Sequence, residues 1–161
     1  MIPYEEMREI VPNGLHEYLG IQIIRGNQTA PAPAYPYGTY NVTTIAGKND
    51  GTWQQHEDGI DRLMVRSIWS LSFLSKDYDE SVALAIKARE WFQRSGRAFL
   101  SQHGITVQST TDINNRDNIL TVDYERKNGF DVVFYVYDEA TNLTDTIGTI
   151  EGVDIAHEIT N

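Results

Sequence analysis

The sequence predicts an α+β fold: a mostly antiparallel mixed sheet, one long helix packed on a face, and a short N-terminal helix. Three observations carry this. Leu63 to Leu74 alternates, with Leu63, Val65, Trp69, Leu71 and Phe73 on one side, Ser67 breaking the run, and Met64, Arg66, Ile68, Ser70, Ser72 and Leu74 on the other. Residues 78–102 carry a broad helical stripe of Val82, Ala85, Ile86, Phe92, Gly96 and Phe99, widened by Leu84, Ala88 and Trp91. Asn128-Gly129 lies between apolar runs, a dipeptide suited to the positive φ values of a two-residue hairpin turn. Strands together with a segregated helix make an α+β class rather than an alternating α/β one.

In chain order, residues 3–19 have a helical stripe through Met7, Ile10, Leu15, Tyr18 and Leu19. Pro12 and Gly14 interrupt it, which predicts two short turns or a kinked helix, and Gly20 stands where a C-cap is wanted. Ile21 to Ile24 reads as a short strand. Gly26 to Pro36 holds prolines at 31, 33 and 36, so it is expected to run extended along an edge or over the surface. Tyr35, Tyr37 and Tyr40 accompany it, either as amphipathic caps on the core or as a contact surface for another chain. Tyr37 to Ile45 is the next strand. Residues 46–61 form a long polar connection with a solitary Trp53, placed at the tip of a β-ribbon made by its flanking strands.

Asp77, followed three residues later by Glu80, marks the start of the long helix, and Gly104 its end. Ile105 to Ile113 is expected to be a strand, and Asn114 to Asn118 a polar turn. In the predicted hairpin the two-residue loop places Lys127 opposite Phe130, Arg126 opposite Asp131, Tyr124 opposite Val133, Val122 opposite Tyr135 and Leu120 opposite Tyr137. Phe130, Val132, Phe134 and Val136 fill the other face of the second strand, which predicts a central strand covered on both sides. Alternation returns from Thr146 to Ile155, and the tail beyond it is expected to be mobile unless a partner holds it.

The bulk properties narrow the function. Residues 1–161 are expected to form a single domain. Cysteine is absent, which removes disulfides, thiolate nucleophiles and cysteine metal sites together. A net charge of −10 is wrong for a protein that binds nucleic acid by neutralising phosphates; it suits a wall that phosphate must slide past, and equally a surface whose carboxylates simply keep the protein soluble. No apolar run is long enough to span a bilayer, and the acidic N-terminus lacks a secretory pattern, so cytoplasmic assembly is expected.

No motif brings chemistry. His16-Glu17, His56-Glu57 and His157-Glu158 are adjacent pairs, and neighbours do not share a face as the HExxH histidines do. Asp112-x-Asn114-x-Arg116 starts like a calcium loop but has Arg where an oxygen ligand is needed. Gly47, Gly51 and Gly59 are too widely spaced to cradle a phosphate. No catalytic residue, cofactor site or metal site is therefore assigned.

Three blocks in order, NQTAPAPAYPY (Asn27 to Tyr37), KAREWFQRSGRAFL (Lys87 to Leu100) and RDNILTVDYERKNGFDVVFYVY (Arg116 to Tyr137), resemble the phage neck or tail terminator family, also described as tail-completion or head–tail joining proteins. The resemblance covers about His16 to Asp138. It implies a virion protein of the neck, assembled in the host cytoplasm as a homo-oligomeric, hexameric ring. Such a ring caps the tail tube, stops its polymerisation and joins it to the head connector or stopper protein, with DNA passing through the lumen without specific binding and no membrane involved. On that reading Pro31, Pro33, Tyr35, Tyr37 and Trp53 are candidate subunit or partner contacts, as is the C-terminal strand. Asp50, Glu57 and Asp58 are candidates for a lumen or docking loop. Two other classes are weighed against it: a small-molecule or peptide binding module using an aromatic sheet face, which requires a concave apolar pocket, and an enzyme using Asp58 and Asp61 as acid and base.

Overall fold

The computed structural model describes residues 1–47, 51–117 and 125–141. Its elements run α1 (Tyr4–Leu19), β1 (Gln22–Arg25), β2 (Tyr37–Gly47), β3 (Ile60–Ser75), α2 (Tyr78–Gln93), α3 (Ser95–Gln102), β4 (Thr106–Thr110), β5 (Asn114–Asn115) and β6 (Arg126–Thr141). The fold is α+β, with a mixed six-stranded sheet in the order β1-β2-β3-β6-β4 and the short β5 also on β6. Among the described strands only β1 and β2 run parallel. Gln22 lies beside Tyr37 and Arg25 beside Tyr40, so the proline-rich segment between them must travel back along the sheet before β2 begins.

One face of the sheet is covered by the helices. Val65, Trp69, Leu71 and Phe73 of β3 and Phe130, Val132, Phe134 and Val136 of β6 are buried against Met7, Val11 and Leu15 of α1 and Leu84, Ala85, Ala88 and Phe92 of α2. Trp69 is clamped between Tyr40, stacked at 5.1 Å, and the edge of Phe134 at 5.7 Å. Its indole N–H donates to Ser67 Oγ at 3.0 Å, and Ser67 donates to the Thr44 carbonyl at 3.0 Å. The serine that breaks the apolar alternation is thus the polar partner a buried tryptophan requires.

Several sequence expectations change. Asn128-Gly129 is no turn: it lies inside β6, and β3 and β6 pair without interruption from Ile60↔Thr141 to Ser75↔Arg126. Gly129 sits opposite Ser72, where a Cβ would come within 2.1 Å of the Leu71 carbonyl oxygen. The glycine permits close approach of two backbones, a second reason for glycine in a strand besides positive φ. Asn128 is buried, and its amide donates to Ser81 Oγ at 3.0 Å, while Ser81 donates to the Phe73 carbonyl at 2.8 Å. The expected turn residues instead tie the start of α2 to the two longest strands. The predicted partners Tyr124, Val122 and Leu120, like the strand at 146–155, lie outside the described residues.

β6 is central, as expected, but among the described residues only one of its faces is covered. On the other, Val133 and Tyr135 are half-buried and Tyr137 is exposed. The long helix is two helices. The chain breaks at Arg94 (φ −126°, ψ −104°), and a Cβ on Gly96 would come within 2.2 Å of the Trp91 ring. Trp91 folds over this glycine, and the turn keeps Leu100 of α3 fully buried. The buried stripe of α2 runs through Ser81, Leu84, Ala85, Ala88, Trp91 and Phe92, leaving Ile86 outside. By contrast α1 is one helix of 16 residues with Pro12 inside it, its Gly14 against Trp91 and Phe99. Close helix contact at Gly14 and burial of Met7, Val11 and Leu15 outweigh the hydrogen bond that proline removes.

The caps agree with the sequence. Gly20 closes α1 in the left-handed region at φ 70°, and Gly104 follows α3 at φ 72°. Asp77 caps α2 by accepting from the Asp79 N–H at 3.1 Å. Glu80 does not reach back to the cap directly; it accepts from Ser75 Oγ, which in turn accepts the Asp77 N–H at 3.0 Å.

Candidate assembly surfaces

The first surface is the tip of the β2–β3 ribbon. Two register shifts, between Val42 and Thr44 and between Thr44 and Gly47, twist β2 as it leaves the core. Beyond them Gln54 and Arg62 form a bridge, exchanging backbone hydrogen bonds of 2.8 and 2.9 Å. A turn closed by the Gly59 N–H on the His56 carbonyl follows, with Gly59 at φ 76°. Arg62 organises the base of the tip: its guanidinium meets Asp58 at 2.8 Å and Glu139 at 2.9 Å. Hydrogen bonds from Arg62 and from the Ile60 N–H hold the Asp58 carboxyl below its ordinary range. Asp58 is therefore an ion-paired turn residue. Trp53, with 44% of its surface exposed, and Glu57 remain turned to solvent, and Asp50 lies outside the described residues.

The second surface is the proline–tyrosine segment at the β1–β2 edge. Here the structure splits the predicted set. Tyr37 is buried in the sheet, Pro33 is half-buried, and Pro31 and Tyr35 are exposed. The two tyrosines lie 5.4 Å apart and converge on one carboxylate, Glu125, at 2.7 Å from the Tyr35 hydroxyl and 3.4 Å from that of Tyr37. Burial and the adjacent Glu125 charge push the Tyr37 phenol above its ordinary pKa. The Lys76 ammonium lies 5.9 Å from the Tyr35 ring. Tyr37 belongs to the fold and Tyr35 to its rim.

The third surface, missed by sequence reasoning because β6 was expected to be covered, is the helix-free sheet face. Met64 pairs with Tyr137, Arg66 with Tyr135 and Ile68 with Val133, and Met64 and Tyr137 are well exposed. Toward the other end this face becomes polar. Arg116 reaches across it, donating to Ser70 Oγ at 2.6 Å, the Leu71 carbonyl at 3.2 Å and Asp131 at 2.9 Å. Asp117 beside it is partly desolvated, which opposes ionisation. The Lys127 N–H, Arg126 and Asn115 outweigh that and hold its carboxyl below the ordinary value. The alternating Ser70 and Ser72 were the available signal for such an anchor; a serine pair on a strand face does not by itself say which arginine will come to it.

An open cleft of about 880 Å³ lies at one end of the sheet, between the first turn of α1, Ile45, His103 and Tyr137. Glu5, Glu6, Asp138 and Glu139 also line it. Among the described residues no group of three or more His, Asp or Glu side chains is placed to hold a metal. Asp58, drawn to Arg62 and held ionised, is shifted the wrong way for a general acid.

The fold is α+β, and among the described residues two strand edges, a ribbon tip and one sheet face lie at its surface. The family model for the phage neck terminator protein matches residues 4–161, and the chain belongs to that family. It is a structural component of the phage neck, located in the virion at the head–tail junction among tail and head components. A search of curated proteins returned no match.

Proposed function

We propose that the chain closes with copies of itself into a ring, six subunits in the expected case, that caps the tail tube, ends its polymerisation and joins it to the head connector. DNA passes through the lumen. The observation that carries the ring is the sheet order: β1, paired only to β2, and β4, paired only to β6, are two different edges at opposite sides of one sheet, each with its outer side unpaired among the described residues. A closed head-to-tail ring needs two unlike, complementary patches on each subunit, whereas a two-fold dimer uses one patch twice. Pro31 and Tyr35 are exposed in the segment that joins β1 to β2, and we assign this proline–tyrosine segment to one patch. The ribbon tip, with Trp53 outward and Glu57 unshielded, is the docking element toward tube or connector. With a net charge of −10, a lumen lined by this chain repels phosphate rather than holding it.

The test is light scattering of the pure protein over a concentration series, alone and with assembled tail tubes, together with imaging of the tube ends. A mass near six subunits, or a ring of that size at the tube end with arrested growth, is the expected result. A protein that stays monomeric alone, leaves tube ends bare and does not limit tube length overturns the proposal. Trp53→Ala should leave the melting temperature unchanged and weaken docking, since an exposed indole contributes to binding only when a partner buries it.

A further inference from the structure

The edge formed by β4 has a particular shape and charge. Thr106, Gln108 and Ser109 are exposed along it, and a register shift between Val107 and Ser109 bulges the strand. Alongside runs a mostly apolar groove of about 320 Å³, lined by Arg94, Arg97, Ala98, Ser101, Thr106 and Val107. Arg94 is paired with Glu90 at 2.9 Å, whereas Arg97 is exposed and has no carboxylate partner among the described residues. Among the described residues this is a strand edge unpaired on its outer side, beside an apolar floor with one available cation, in a chain of strong negative charge.

The sequence holds a segment with the matching pattern. Residues 142–161 carry Asp145, Glu151, Asp154 and Glu158 and no lysine or arginine. Between Thr146 and Ile155, strand alternation puts Ile147, Thr149, Glu151, Val153 and Ile155 in one row of the sequence pattern, three aliphatic residues and a threonine about a single central carboxylate. We propose that this segment, from a neighbouring copy, adds as a strand to the β4 edge, with its apolar row on Ala98 and Val107 and Glu151 meeting Arg97. Backbone hydrogen bonds supply affinity in such strand addition, while alternate side chains in the adjoining groove set register and partner. The bulge and the short length of β4 restrict indiscriminate edge pairing, so selectivity falls to the groove. The segment follows directly on β6, which ends at Thr141, and is long enough to leave its own subunit. The inference rests on the head-to-tail ring and names the receiving surface for one of its two patches.

The absence of native cysteine allows a clean test. Full-length protein carrying Thr106→Cys is mixed with full-length protein carrying Ile150→Cys under mild oxidation, and the products are separated without reductant. Thr106 is exposed and alternates with the buried Val107, and Ile150 alternates with the row that holds Glu151, so the two side chains share a face in the proposed pairing. The expected result is a disulfide-linked heterodimer whose yield falls about tenfold with Arg97→Glu and recovers when the other copy carries Glu151→Arg, a loss of about 1.4 kcal/mol in pairing. A disulfide that forms only within one chain bearing both substitutions, and not in the mixture, overturns the exchange between copies. No cross-link in either experiment overturns the docking altogether. The mass of the wild-type protein reports on the ring independently, so a ring without this cross-link removes only this inference.

Discussion

The contact between Asn128 and Ser81 admits a sharp test, because a hairpin turn at Asn128-Gly129 predicts that these two residues never meet. In the structure the Asn128 amide donates to Ser81 Oγ at 3.0 Å, and Ser81 donates to the Phe73 carbonyl at 2.8 Å, all within the buried layer. Asn128→Ala removes one neutral buried hydrogen bond, about 1 kcal/mol, and leaves a small void, for a total of about 2 kcal/mol. Ser81→Ala leaves the Asn128 amide without its acceptor, which costs about 2 kcal/mol in desolvation of an unpaired donor. In the double variant no amide is orphaned, so the cost should be about 3 kcal/mol, leaving a coupling of about 1 kcal/mol. The assay is equilibrium urea unfolding of the four proteins followed by tryptophan fluorescence, with the slope of each transition checked for constancy. Single and double costs that add to within about 0.3 kcal/mol would refute the contact and restore a solvent-exposed turn.

Two further outcomes follow from the same region. Gly129→Ala places a Cβ 2.1 Å from the Leu71 carbonyl and 2.9 Å from Ser72 Oγ, in backbone locked by the β3–β6 ladder, and should cost about 3 kcal/mol in urea unfolding; a loss under about 1 kcal/mol would contradict the close approach. Asp117→Asn should destabilise the protein at neutral pH by an amount that shrinks on acidification. The Asp117 carboxyl has a lowered pKa in the folded state, so its contribution is complete above the unfolded value of about 3.9 and is lost as pH falls through the lower folded value. Thermal melts of both proteins from pH 7 to pH 2.5 check this, and a difference that stays constant across that range would exclude an origin in the ionised carboxylate and the hydrogen bonds it accepts.

What local sequence determined, and what it did not, divides along the range of the forces involved. Helix caps at Gly20, Asp77 and Gly104 were legible because each depends on φ or on a hydrogen bond within three residues. The buried side of β3 was legible because its alternation is intrinsic to a strand, and the ribbon around residues 46–61 because its flanking strands pair locally. Asn128-Gly129 was misleading because the same two residues serve a tight turn by positive φ and a central strand by lack of bulk. Only the position of Leu71 and Ser81 across the fold selects the second. The break at Arg94 likewise needs Trp91 to close over Gly96, and the convergence of Tyr35 and Tyr37 on Glu125 joins residues 90 and 88 positions apart. Composition by itself set the charge and the absence of thiols, and three sequence blocks in order carried the resemblance to the family. Which edges remain open and which tyrosine is structural were decided by contacts between residues distant in sequence, because burial is a property of the packed sheet and not of any segment within it.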